Sequence, residues 1–305
     1  MPILCILGEH MLPFLYVFFS GIAGALYGLS YKLRSQHSYP IYRMLFLFSV
    51  FTTLFSLAPL ALFNQPLFSA KSLFLGLPYG LFMVISLSLY FVVSGRAKLN
   101  ISWTIVQFSV VIPFVLSIFW YGERLESIAV FGIALIFVSL IFFGAGKRDP
   151  SGGRAIPDPC TAVMLFLSFL FTGASSSIPK IFAVVEPEAG PFTLFLYRGL
   201  SMIPLSLILM RLREGTLKKH RWKPGLFFLA AYMSLNSVLL GVLTILALRG
   251  GIGGSVAFPL RAIVNVLLVF LLSFLLFREK VTFLEGVGAL VALAGIALVS
   301  AALGS

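Results

Sequence analysis

The side chains best able to do chemistry in this sequence are few, and the most telling are basic. Arg261 lies about eight residues into the apolar run 255–277, roughly 12 Å of helical rise. At that depth a guanidinium facing hydrocarbon costs about 2.5–3.5 kcal/mol on insertion scales. Such a residue either lines a cavity and meets a carboxylate or phosphate, or snorkels outward along Phe258. Asn265 follows Arg261 one turn later on the same helical face. Gln107 stands in the same relation to Trp103, and Tyr27, Tyr79, Tyr232 and Asn236 are further amphipathic or polar groups inside apolar runs. These residues are the candidate substrate-binding set, each weighed against plain packing or an interhelical hydrogen bond. Lys32, Arg43, Lys180 and Arg198, with Glu123 and Glu279, fall nearer the ends of the runs and are candidate gate or structural charges.

Acidic groups are conspicuous by position. There are ten, and each falls at the end of an apolar run or in a connection; His10, His37 and His220 are equally peripheral. Hydrolysis within a membrane needs a carboxylate or imidazole at depth, as base or metal ligand, and proton-driven export of cations needs a buried carboxylate too. No Gly-rich phosphate loop ending in Lys-Ser/Thr is present, and Cys5 and Cys160 carry no ligand spacing. The expectation is therefore no catalytic residue, no metal, no cofactor and no enzymatic activity.

The elements that must position these groups are set by hydropathy. The chain has 305 residues, 60% of them hydrophobic and only 10% charged, with a mean hydropathy of +1.06. A soluble domain carries about 25% charged residues, so most of this surface faces lipid. Breaking the sequence at polar, Gly and Pro clusters gives ten apolar spans, 12–33, 39–62, 72–93, 101–121, 127–146, 159–183, 190–211, 223–248, 254–277 and 284–303. Most reach the roughly 20 residues that cross a bilayer as a helix, and no period-two alternation suggests a barrel. The start lacks the basic n-region of a secretory signal. A formal charge of +12 would point to nucleic acid in a soluble protein, but here the basic residues sit in short connections, where topology and lipid head groups account for them. The expected partners are the bilayer and a small-molecule substrate, with no nucleic acid, and the chain is expected to act as a monomer.

The stretch 147–158, with Pro150, Gly152, Gly153 and Pro157, divides the chain into 1–146 and 159–305. The halves repeat. Lys32 recurs as Lys180, Tyr42-Arg43 as Tyr197-Arg198, Tyr79 as Tyr232, and Glu123-Arg124-Leu125 with Gly132 as Glu279-Lys280-Val281 with Gly288, at offsets from 148 to 156. Five spans per repeat is an odd number, so the second copy must enter the membrane from the opposite side. Inverted repeats place a substrate site near the midplane between them.

These residues bring a resemblance with them. Pro113, then Tyr121-Gly122-Glu123-Arg124-Leu125 followed by Gly132, resembles the signature between the fourth and fifth helices of the drug/metabolite transporter superfamily, in its ten-helix, two-repeat (EamA-like) branch. Phe277-Arg278-Glu279-Lys280-Val281 with Gly286, Gly288 and Gly295 matches as the second copy, and Arg43 and Arg198 occupy its arginine position. The resemblance implies a central cavity walled by helices 1 to 4 and 6 to 9, with helices 5 and 10 peripheral. It departs where Val269 stands in place of a second-copy proline.

Of the 22 Lys and Arg residues, with Arg261 set aside the rest divide by face as sixteen to five, the sixteen on the face opposite both termini. By the positive-inside rule that face is cytoplasmic and the termini lie outside, whereas the superfamily's habit is the reverse. The expected function is a facilitator or exchanger of a small polar metabolite, such as an amino acid or other zwitterionic or anionic compound, in a plasma (inner) membrane. An exporter of hydrophobic or aromatic compounds is the alternative, and a non-transporting enzyme or scaffold a distant third.

Overall fold

In the computed structural model, residues 2–94, 106–146, 159–214, 223–277 and 283–304 are described. Among them the chain forms α1 (Pro2–His37), α2 (Ile41–Leu62), α3 (Ala70–Ser94), α4 (Val111–Phe119), α5 (Ser127–Gly146), α6 (Pro159–Val185), α7 (Pro191–Glu214), α8 (Pro224–Arg249), α9 (Gly254–Phe277) and α10 (Phe283–Gly304), and no strand. Continuous apolar sequence dictates this outcome, because in hydrocarbon every backbone N–H and C=O must be satisfied within its own segment. Prolines punctuate the ends: Pro40 precedes α2, and Pro191 and Pro224 open α7 and α8, where a missing N–H costs nothing. Others lie inside helices, at Pro59, Pro78, Pro179, Pro204 and Pro259.

Seven of the helices are long and apolar enough to cross a membrane, and their outward faces carry exposed side chains such as Phe74, Phe166, Phe228 and Leu275. The chain is a helical, multi-pass integral membrane protein.

The helices close into a ring. Around it α1 packs on α8, α8 on α2, α2 on α7, α7 on α3, α3 on α6, α6 on α4, α4 on α9, and α9 back on α1. The remaining two, α5 and α10, pack on each other outside the ring, with α9 their link to it. Every neighbouring pair in the ring joins a helix before residue 147 to one after 158. The two halves of the sequence are therefore interleaved around one interior, and do not stand as two separate bundles with a gap between.

Small residues let the ring close. A Cβ on Gly21 of α1 would lie 2.5 Å from Val264 of α9, and one on Gly173 of α6 would lie 2.1 Å from Ile112 of α4. Hydroxyls then bridge the close helices: Ser20 with Thr244 at 2.8 Å, Ser49 with Ser206 at 3.1 Å, and Ser86 with Thr172 at 2.5 Å. Without a hydrophobic drive between helices in lipid, such packing and hydrogen bonding hold them together.

Candidate functional site

The ring encloses a cavity of about 130 Å³, walled by α1, α3, the segment just before α4, α6, α7, α8 and α9. Three stripes of side chains supply most of its wall. Tyr79, Met83, Ser86 and Tyr90 recur at helical spacing along α3, and Thr172, Ser175, Ser176 and Pro179 along α6. Arg261 and Asn265 form the α9 stripe, as their four-residue spacing requires.

Arg261 faces inward. Its Nη1 donates to Thr244 Oγ1 at 3.1 Å, and its guanidinium lies 5.4 Å from the Phe258 ring centroid, so the Phe258 contact anticipated for a snorkelling side chain is made with a ring buried in the core. Asn265 reaches the interior because α1 offers a glycine opposite: a Cβ on Gly24 would stand 2.9 Å from its Nδ2 and 3.0 Å from Leu240. Tyr27, Tyr79 and Gln107 also line the cavity.

A second guanidinium shares this space. Arg198, expected at a gate, is buried, with 1% of its surface exposed, and lines the cavity. Its Nη2 donates to Ser237 Oγ at 3.1 Å and its Nη1 to Tyr79 Oη at 3.4 Å, while the guanidinium stacks 4.6 Å from the Phe195 centroid and 5.0 Å from that of Tyr79. Its Nε has no partner, and neither has one end of the Gln107 amide nor one end of the Asn265 amide. Among the described residues neither Arg198 nor Arg261 forms an ion pair, and no acidic side chain lines the cavity. Buried N–H and C=O groups are nearly always paired, and each of these three atoms is open to a further partner.

Two expected binding residues lie elsewhere. Asn236 is buried, but its amide donates to Tyr232 O at 2.8 Å, one turn back. Tyr232 packs against a buried cluster drawn from α1, α2, α3, α7 and α8 that includes Met44, Phe48 and Met233. Neither reaches the cavity wall. Trp103 and Glu279 lie outside the described residues. Ser237, next to Asn236, is the α8 residue that does reach the cavity. A search for polar groups at three- and four-residue spacing along α3 and α6 would have found Ser86, Thr172 and Ser175.

The peripheral charges form ties across the two halves. At the end where α9 begins, Gly122, at φ +65°, turns the chain after α4 and presents Glu123. Its carboxylate accepts from Lys180 Nζ of α6, from the Gly254 N–H at 3.0 Å, and from the Ser255 N–H and Oγ at 2.8 and 2.7 Å. It thus caps α9 and neutralises Lys180. Burial pushes the Glu123 carboxyl up, but the donors from Lys180, Ser255 and Gly254 outweigh it and hold the group below the usual carboxylate range. Nearby, Glu186 accepts from Ser69 and Ser72 at the start of α3, each at 2.5 Å. At the opposite end Glu214 of α7 accepts the Tyr42 N–H at 2.9 Å and pairs with Arg43 Nε at 3.4 Å. Lys32 is half-buried near the end of α1. Among the described residues no three His, Cys, Asp or Glu side chains come together to hold a metal.

No family model and no curated protein matches this sequence. Solved structures do: 28 chains match in fold. One of them, described only as the crystal structure of a protein, aligns with a TM-score of 0.71 over 95% of this chain and 97% of its own, at 16% identity. The likeness spans both halves of the sequence and is one of fold alone.

Proposed function

We propose that this chain is a secondary transporter that carries a small polar metabolite, zwitterionic or anionic, by alternating access, and that it belongs to the ten-helix, EamA-like branch of the drug/metabolite transporter superfamily. One observation carries the reading: the ring's interior holds two guanidiniums and unpartnered amide ends, with no acidic side chain among its lining residues. Polar groups of this kind at membrane depth line a substrate path by default.

The helix packing supports an inverted repeat. Exchanging each helix for the one five places along turns α1·α8 into α6·α3, α1·α9 into α6·α4 and α2·α8 into α7·α3, all of which occur, and leaves α2·α7, α4·α9 and α5·α10 unchanged. The Gly21–Val264 and Gly173–Ile112 approaches obey the same exchange, each partner offset by 152 residues. Since the halves interleave, access alternates by bending within the ring, where internal prolines free backbone groups. We read the protein as a monomer of the plasma (inner) membrane, with its more basic face in the cytoplasm.

Counterflow into liposomes with a panel of amino acids, organic acids and phosphates tests this. Saturable uptake by wild type, reduced at least tenfold in Arg261→Ala, is expected; full transport by Arg261→Ala would remove the cavity assignment. A second reading, an exporter of hydrophobic or aromatic compounds, is favoured by Tyr27, Tyr31, Tyr79, Tyr90, Met83 and Leu87 in the same wall. Dye efflux that saturates and ignores Arg261 replacement would select it.

A further inference from the structure

The two cavity arginines pose a problem of charge. Among the described residues Arg198 is the largest fully buried side chain, and both it and Arg261 are answered there only by hydroxyls and aromatic faces. Removing a cation from water costs several kcal/mol unless an opposite charge and further hydrogen bonds compensate, and none of the acids among the lining positions can do so, because there are none. Arg198 is already out of water, held by Ser237, Tyr79 and the rings of Phe195 and Tyr79, whereas the partly buried Arg261 is screened by solvent while the cavity communicates with water. In any transporter that changes access, the cavity must pass through a state closed at both ends, and there Arg261 loses its water too and the two uncompensated charges face each other across the same dry space.

Resting on the transporter reading above, we infer that Arg198 and Arg261 together bind the anionic group of the substrate, a carboxylate or phosphate, and that transport is an exchange of one such anion for another. Arg198 spends two of its five N–H donors on Ser237 and Tyr79 and keeps Nε vacant, and Arg261 spends one on Thr244. The fork geometry of a guanidinium matches a carboxylate or phosphate, and Gln107 offers a further amide donor. An anion seated there neutralises the pair and lets the closed state form; the empty carrier retains the bare charges and does not turn over. A zwitterion's ammonium group would meet no carboxylate among the lining residues, so the substrate is a net anion.

The test uses the full chain. Purified protein is screened by thermal shift against inorganic phosphate, succinate and benzoate, and against leucine and glutamine as zwitterions. The anion that stabilises most is then presented, labelled, to proteoliposomes loaded either with the same anion or with osmotically matched sucrose, with potassium and valinomycin clamping the membrane potential. At least tenfold faster uptake into anion-loaded vesicles is expected, with at least tenfold weaker anion binding in Arg198→Gln and Arg261→Gln. Arg198→Lys, which keeps the charge and loses the fork, should bind with intermediate affinity and shows that the site tolerates substitution. Equal uptake into sucrose-loaded vesicles overturns exchange and leaves the transporter reading standing. Stabilisation by the zwitterions alone overturns the anion assignment, and wild-type affinity in a monodisperse Arg198→Gln overturns the role of Arg198. Anion binding with no flux under either loading overturns exchange together with the transporter reading, while the anion site survives.

Discussion

Replacing Glu123 by Ala should be the most damaging change outside the cavity. Its side chain is 15% exposed and that of Lys180 10%, so this is a mostly buried pair. Removing one member of such a pair costs about 3–5 kcal/mol because the other charge is left uncompensated, and a lost N-cap adds about 1 kcal/mol. Discounting for the residual exposure, we expect Glu123→Ala to destabilise by about 3 kcal/mol, or roughly 6–12 °C at 2–4 °C per kcal/mol. Thermal unfolding of purified protein in detergent reads this directly. Glu123→Gln should fall between, since its single amide oxygen can still accept from the Ser255 N–H, while its NH2 cannot accept from the Gly254 N–H and the side chain no longer neutralises Lys180. The decisive variant is Glu123→Ala with Lys180→Met. If the penalty comes from a stranded buried charge, the double variant loses less than the sum of the two single losses by at least about 1 kcal/mol. Additive losses, or a Glu123→Ala protein that melts within a degree of wild type, would refute the reasoning.

The same carboxyl gives a pH signature. Because folding holds Glu123 below the ordinary glutamate value of about 4.5, its contribution is fully present above that value and disappears as pH falls through the lower folded value; wild type should therefore lose more stability than Glu123→Gln when melting curves are taken from pH 6 down to pH 3. Gly80→Ala should destabilise by about 1–3 kcal/mol, since the added Cβ would lie 1.9 Å from Ser201 Oγ and 2.3 Å from Arg198 O; the displaced α7 should also weaken anion binding in the thermal-shift assay. A fluorescent protein that matures only in the cytoplasm, fused after Ser305, should stay dark; bright cells would reverse the orientation drawn from the charge tally.

Helix positions were legible in the sequence because hydrocarbon leaves the backbone little choice: the span 127–146 coincides with α5, and 254–277 with α9. Arg261 and Asn265 were legible as a pair, since a polar group at that depth and spacing must find an interior. Tyr232 was misplaced for an instructive reason. Its repeat mate Tyr79 meets Arg198, but in α8 the equivalent tyrosine packs against a buried cluster that includes Met44 and Phe48 and is not among the residues lining the cavity. A repeat predicts where a backbone goes, while each side chain's environment depends on residues the other copy does not share. Arg198 was read as a gate because it is the repeat mate of Arg43, although it lies deeper in its helix: α2 opens at Ile41 and α7 at Pro191. What separates them is Glu214, distant in sequence from Arg43 and brought to it only by the packing of α7 against the start of α2.

That difference explains how a near-symmetric ring acquires a charged interior. Three described carboxylates serve helix ends of the opposite half: Glu123 binds the start of α9, Glu186 the serines at the start of α3, and Glu214 the start of α2. A carboxylate at a helix N-terminus is favourably placed by the aligned peptide dipoles, so each tie both caps a helix and fastens the halves at an end of the ring. Acids committed there are withheld from the interior. Arg43, close to one end, shares Glu214; Arg198, its counterpart, lies within the ring and finds hydroxyls and rings instead. With ten acids against 22 Lys and Arg residues in the whole chain, placing the described ones at the ends leaves the two cavity guanidiniums dependent on an anion that arrives from solution.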